Sequence, residues 1–216
     1  MRLVFLGPPG AGKGTQAKLL REHFRISHIS TGDMIRERIA GGTPTGRRAK
    51  PFVDAGELVP DPIMVEMASE RLGEPDCDTG FLLDGFPRTS AQAAALDRSL
   101  AEAGKRLDAV LLLTADDGEV VRRLSGRRTC GNVACGSNYH VEWLPPKTPG
   151  RCDRCGEPLL QRPDDQAETI RRRLSIYHKQ TAEVGQYYGE KGILRQVSGT
   201  GTVDEVYKRI LKTLGV

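Results

Sequence analysis

The sequence predicts an α/β fold on a central parallel sheet, and three observations carry that expectation. Short apolar runs at 3–6, 81–83, 109–113 and 193–197, with a further one at 26–29, are separated by longer stretches of helical character. The first run leads straight into a glycine loop and then a helix. A length of 216 residues gives room for one ordinary domain with a sizeable core and an inserted excursion, but not for two full domains.

The opening "MRLVFLG" enters its apolar run directly and meets "PPGAGKG" where a signal peptide would need a longer apolar core and a small-residue cleavage site. It reads as a strand of a cytoplasmic protein. In "GPPGAGKGT" (7–15), glycines at 7, 10, 12 and 14 leave backbone amides free to turn inward. The helix that follows presents its positive end, and Lys13 adds a mobile ammonium, so polyphosphate is the natural guest. The general P-loop pattern expects serine or threonine directly after the lysine; here Gly14 intervenes and the hydroxyl belongs to Thr15.

The run 81–83 ends in Asp84, a carboxylate at the carboxyl end of a central strand, where α/β sheets bind ligands. At 109–113, "AVLLL" is far shorter than the roughly 18 apolar residues of a membrane span. No membrane partner is expected. From 164 to 188, Ile170, Leu174, Tyr177, Thr181, Val184 and Tyr188 recur at spacings of four and three, which lines them along one face of a long helix. Arg171, Arg172 and Lys179 fall on its other face. Asp164 and Asp165 suit either a helix N-terminus, where negative charge is favourable, or pairing with arginines. His28, His140 and His178 show no nucleophile or base partner.

Thirty-two basic against 28 acidic residues give a net charge of +4, a mildly basic balance that a local phosphate site accounts for as well as a nucleic-acid surface would. Between about 126 and 163 periodicity fails and glycine, proline and cysteine dominate. Something must order an excursion of that length. Cys130 and Cys135 are separated by four residues, Cys152 and Cys155 by two, with sixteen between the pairs. Two knuckles closing on one tetrahedral structural zinc fit this pattern; reduced metal-free thiols and a strained disulfide are the alternatives. A catalytic zinc would need an open position, and no histidine–glutamate element accompanies the cysteines. Cys77 stands apart as a passive small side chain.

"STGDMIRERI" (30–39), "AGELVPD" (55–61), "FLLDGFPRTSAQA" (81–93), "GRR" (126–128), "RPDDQAETIRRRL" (162–174) and "VSGTG" (197–201), in this order behind the glycine loop, resemble the adenylate kinases over essentially the whole chain. The resemblance implies a P-loop three-layer sandwich, an inserted zinc-ribbon-like lid and a helical monophosphate-binding subdomain. It divides the chain into core at 1–29, AMP-binding subdomain at 30–59, core at 60–125, lid at 126–163 and core at 164–216. It implies reversible transfer of the terminal phosphoryl group of ATP to AMP, giving two ADP, with magnesium, in a form that is usually monomeric.

By family position, Gly10, Ala11, Gly12, Lys13, Gly14 and Thr15 bind the ATP phosphates, Arg123 stacks on the adenine, and Arg127, Asn138, Tyr139 and Gly201 complete the ATP site. Thr31, Arg36, Glu57, Leu58, Val59, Gly85, Phe86, Pro87, Arg88 and Gln92 form the AMP site. Lys13, Arg88, Arg127, Arg162 and Arg173 surround the reacting group, where fixed positive charge is what phosphoryl transfer requires, and Asp84 holds magnesium through water. Some bacterial members carry four cysteines in the lid; the longer first knuckle here departs from their usual two-residue spacing. The rivals are a sister kinase acting on UMP or CMP or using GTP as donor, and a zinc-ribbon nucleic-acid-binding protein with a P-loop domain. Only Tyr139 and Trp143 offer stacking groups for the latter, so no nucleic-acid partner is expected.

Overall fold

The computed structural model describes residues 1–132 and 134–216. Its main sheet runs β2 (Ser27–Ser30), β3 (Phe81–Asp84), β1 (Arg2–Leu6), β4 (Ala109–Thr114) and β8 (Leu194–Ser198), every neighbouring pair parallel. The five expected strands are all present, with ends moved by one residue at most sites.

Continuous apolar runs suit strands covered on both faces, and β1 shows why. Leu3 and Phe5 face one way, into a core completed by Ala17 and Leu20 of α1 (Lys13–Phe24) and Val206 and Ile210 of α9 (Val203–Leu214). Val4 and Leu6 face the other way, towards Met64 and Met67 of α4 (Asp61–Leu72), Leu96 of α5 (Ser90–Glu102) and Tyr188 of α8 (Ala182–Glu190). The period of two thus builds a three-layer sandwich from one strand outward.

Two helices fill the interval between β2 and α4. α2 (Thr31–Ala40) is capped by Ser30, whose hydroxyl accepts from Asp33 N–H, and α3 (Pro44–Ala55) by Thr43 with proline at its first position. The excursion after α6 (Asp117–Ser125) is a small antiparallel sheet in the order β6 (Asn138–His140), β5 (Arg127–Cys130), β7 (Leu159–Leu160). Of the four residues inside the first cysteine pair, Val133 lies outside the described residues.

The long helix begins later than its spacing predicted. α7 (Ala167–Ile176) continues through a π-helical turn, Tyr177–Thr181, into α8, and Ile170, Leu174, Thr181, Val184 and Tyr188 form the buried face, with Tyr177 half-buried. Asp164 and Asp165 occupy a 3-10 turn before it and do not cap it: the N-cap is Gln166, without a side-chain bond. Both carboxylates are buried and turned inward because arginines meet them there. Among the described residues no helix is long and apolar enough to cross a membrane.

Candidate active site

The carboxyl ends of β1, β2 and β3 open into one cleft of 1320 Å³, above the roughly 300–1,000 Å³ of common ligand pockets. Its floor is the glycine loop. Gly7 has φ of 135°, and a Cβ there would lie 2.2 Å from the Leu113 carbonyl of β4, so no other residue leaves β1 at this angle. Gly12, with φ of 95°, turns the chain into α1, whose first turn holds no acidic residue to oppose an anion. Lys13 Nζ folds back over the loop, donating to the carbonyls of Gly7 and Pro8 at 2.8 Å each.

Arginines surround this floor from four elements. Arg127, on β5, makes a two-pronged contact with Asp165, Nε to Oδ2 at 2.8 Å and Nη2 to Oδ1 at 2.6 Å, and Asp165 is fully buried. Arg173, on α7, meets Asp164 Oδ2 at 2.8 Å and lies 3.7 Å from Asp165. Arg162 donates to Thr129 Oγ1 at 3.0 Å and approaches Asp33, the partner of Arg36, at 3.9 Å. Arg88 turns back onto the Gly85 carbonyl at 2.7 Å. Arg123 is held by Glu119 at 2.9 Å and the Gly199 carbonyl at 3.2 Å.

Crowding these cations into a shielded cleft weakens their hold on their protons. Burial brings Lys13 down to about 8, with Asp84 pulling the other way and Arg88, Arg173 and Arg127 adding to the fall. Burial likewise lowers Arg88 and Arg162 to about 10 and shifts Arg173 in the same direction. For Asp164 burial alone would raise the carboxyl, but Arg173, Arg36, Arg127 and Arg162 together outweigh it and hold it below its usual value. Such a site is built for a polyanion, whose oxygens relieve the repulsion among desolvated cations.

Asp84 faces this cluster from the end of β3, in register with Phe5. Among the described residues no hydrogen bond reaches its carboxylate; His28 Nε2, itself buried without a partner, stands 3.8 Å away. A carboxylate so little committed, beside a phosphate loop, suits a hydrated divalent cation.

The four excursion cysteines converge as well. The Cys130 and Cys155 sulfurs are 3.3 Å apart, those of Cys135 and Cys152 3.8 Å, and all four ligand atoms lie within 4.8 Å of one another. All are free, and a disulfide would need about 2.05 Å. Four thiolates at about 2.3 Å from a tetrahedral zinc stand about 3.8 Å apart, so the set fits that ion. His140 is no ligand: it is buried, stacks on Trp143 at 3.9 Å between ring centres, and accepts the N–H groups of Glu142 and Trp143.

Residues 5–193 match the family model described as adenylate kinase. The chain belongs to the adenylate kinase family. An adenylate kinase of Thermodesulfovibrio yellowstonii is 53% identical over 214 residues, covering 99% of each chain. One from Archaeoglobus fulgidus is 52% identical over 210 residues, covering 97% of this chain and 96% of that protein. One from Acidothermus cellulolyticus is 53% identical over 214 residues, covering 99% and 98%. Phosphoryl exchange among ATP, AMP and ADP is what adenylate kinases catalyse, and the cleft holds the charges that reaction needs.

With the adenylate kinase assignment in hand, the expected residues can be placed. The expected ATP-site group, from Gly10 to Thr15 through Arg123, Arg127, Asn138, Tyr139 and Gly201, lines the cleft. The Tyr139 hydroxyl, however, is engaged with the cysteine knuckle, accepting Asp153 N–H at 2.7 Å. On the other side Thr31, Arg36, Glu57, Leu58, Val59, Gly85, Pro87, Arg88 and Gln92 also line it, as do Arg162 and Arg173. The ring of Phe86 is 1% exposed and packs in the apolar core, so only its backbone could face the cleft.

The sequence reading missed Asp61, Glu119, Lys18 and the position of His28 beside Asp84. Asp61 receives Gln92 Nε2 at 2.6 Å, and Lys18 donates to the Gly136 carbonyl of the first knuckle at 2.9 Å. A carboxylate four residues before an arginine on one helix face could have signalled the Glu119–Arg123 pair. Nothing local signals the others.

Proposed function

We propose that this chain carries out the family reaction with ATP bound over the glycine loop and AMP in the pocket beyond Gly85, the phosphates meeting among Lys13, Arg88, Arg127, Arg162 and Arg173. The observation that carries this reading is the convergence of those five cations, drawn from distant parts of the chain, on one cleft between the two groups of nucleotide-site residues. An AMP phosphate oxygen attacks the terminal phosphorus of ATP as the bond to the bridging oxygen breaks. Charge spreads over the moving group, and fixed guanidinium and ammonium groups meet it without reorganisation. No nucleophile or proton relay from the protein is required.

Residues 30–59 form the AMP-binding unit, 126–163 the lid, and the remaining three segments the core. Arg127 and Arg162 stand at the two edges of the lid, so its closure brings both onto the phosphates and excludes water. Cys130, Cys135, Cys152 and Cys155 hold a structural zinc in the lid. Magnesium, carried in with ATP, would supply neutralising charge at the phosphates, and Asp84 would hold it through water. The protein acts as a cytoplasmic monomer.

ADP formation from ATP should depend on AMP and be far weaker with CMP, UMP or GMP. A coupled assay across the four monophosphates, with GTP tried as donor, checks this; equal turnover of UMP or CMP would move the chain to a sister activity. Asp84→Asn should raise the magnesium concentration needed for half-maximal activity by about 10–100-fold at fixed nucleotide. An unchanged magnesium titration would remove Asp84 from that role.

A further inference from the structure

Among the side chains lining the cleft, the amide of Gln92 is held by partners that cannot change sign. Its Oε1 accepts the Arg88 backbone N–H at 2.7 Å, and its Nε2 donates to Asp61 Oδ1 at 2.6 Å. A backbone N–H only donates and an ionised carboxylate only accepts, so the two ends of the amide cannot be exchanged. The carboxylate is itself held: Asp61 Oδ2 receives the Thr89 hydroxyl at 2.9 Å, and that hydroxyl accepts the Gln92 N–H at 3.1 Å. Thr89 is the N-cap of α5 and Asp61 belongs to the first turn of α4, so the lock joins two packed helices. Gln92 is only 2% exposed, yet it lines the cleft.

We propose that Asp61 is a specificity-determining residue for the base of the monophosphate: by fixing the Gln92 amide in one orientation, it admits a base with an exocyclic amine beside a ring-nitrogen acceptor and rejects one with a carbonyl beside a ring N–H. The proposal rests on Gln92 reading the base in the AMP pocket. Once Arg88 and Asp61 are satisfied, the amide retains one lone pair on Oε1 and one hydrogen on Nε2. The amine and N1 of adenine match these. Hypoxanthine or guanine sets its carbonyl against Oε1 and its N1–H against the Nε2 hydrogen, leaving both pairs repulsive and unmade. An unrestrained glutamine could turn its amide over and accept such a base. Asp61 and the Arg88 N–H together remove that option, and because Asp61 does so while touching no substrate it is a positioning residue.

The test compares kcat/KM for AMP and for inosine monophosphate, which reverses the donor and acceptor at this edge and adds no 2-amino group. Asp61→Asn keeps the shape but can donate as well as accept. It should lower the preference for AMP at least about tenfold, with KM for ATP unchanged. Asp61→Glu, which keeps an acceptor-only carboxylate, should retain more of the preference than Asp61→Asn. Asp61→Ala carries the same expectation as the asparagine variant and serves if that protein is unstable. Gln92→Leu separates the two layers of the argument. If it abolishes the preference while Asp61→Asn and Asp61→Ala leave it within twofold of the parent, the orienting role of Asp61 is overturned and the reading of Gln92 stands. If Gln92→Leu keeps the parent preference, another residue reads the base and the proposal falls with the reading beneath it.

Discussion

Replacing Lys13 with methionine is expected to lower ADP formation by about 10³-fold while the ligand-free protein stays folded and at least as stable at pH 7. Removing one preorganised donor at a developing charge costs about 10²–10³ in rate, and Lys13 contributes a full charge in addition. Methionine keeps the length and apolar stem of the side chain and loses only the ammonium. Stability should respond with the opposite sign. Burial brings the Lys13 ammonium from 10.5 to about 8, so between those values the unfolded chain binds the proton that the folded one has released. The penalty for holding the charged lysine is therefore complete below pH 8 and fades as pH rises towards 10.5. Two carbonyl contacts offset part of it. The variant should melt no lower than the parent at pH 7, and any advantage should shrink at higher pH, as thermal unfolding across that range would record. Activity within tenfold of the parent would dismiss the assignment of Lys13.

The same opposition between function and stability explains which parts of the site could be read in the sequence. The glycine loop was legible because its signal is local: a strand, a spacing of glycines and a lysine are consecutive. The strands β3, β1 and β4 were legible because each lies inside the sheet and is covered on both faces, so its run is apolar, whereas the edge strands β2 and β8 carry more polar residues. The arginines were recognised as charges and Asp164 and Asp165 as one possible set of partners, but which arginine meets which carboxylate was not legible. Arg127 finds Asp165 across 38 positions and Gln92 finds Asp61 across 31, and no period in the chain encodes such a meeting. Helix capping was a local rule that favoured solvent for Asp164 and Asp165; the desolvated arginines supply a stronger attraction and won. The π-helical turn at Tyr177–Thr181 escaped notice for a related reason, since the four-and-three spacing reads the same with or without it. That the Phe86 ring packs into the core while its neighbours Gly85, Pro87 and Arg88 line the cleft is likewise set by tertiary packing and not by any local spacing.

Chelating the proposed zinc is expected to melt the lid before the core, by about 10 °C, and to reduce activity in step with that melting. The strands of the lid sheet are four, three and two residues long. Val141, Trp143, Leu144 and Leu160 around it remain about half exposed or more, and among the described residues none from 126 to 163 belongs to the main apolar clusters. A unit of this size without its own core is ordered by whatever ties its turns together. The cysteines do so at one end of the sheet, where Cys130 closes β5, Cys135 precedes β6 and Cys152 and Cys155 lie in the turn before β7. The core layers share none of these contacts and should keep their own melting transition. Confined to a unit of about 38 residues, a shift of that size corresponds to a loss of about 1 kcal/mol. Activity should fall because Arg127 and Arg162 sit at the lid edges and lose their fixed approach, so added zinc should restore melting and turnover together. Calorimetry and activity measured across the same temperatures decide the matter. Turnover lost at temperatures where the chelated lid is still ordered would show that the metal does more than hold the lid. A melting profile indifferent to chelation in protein shown to contain zinc would show that it does not order the lid.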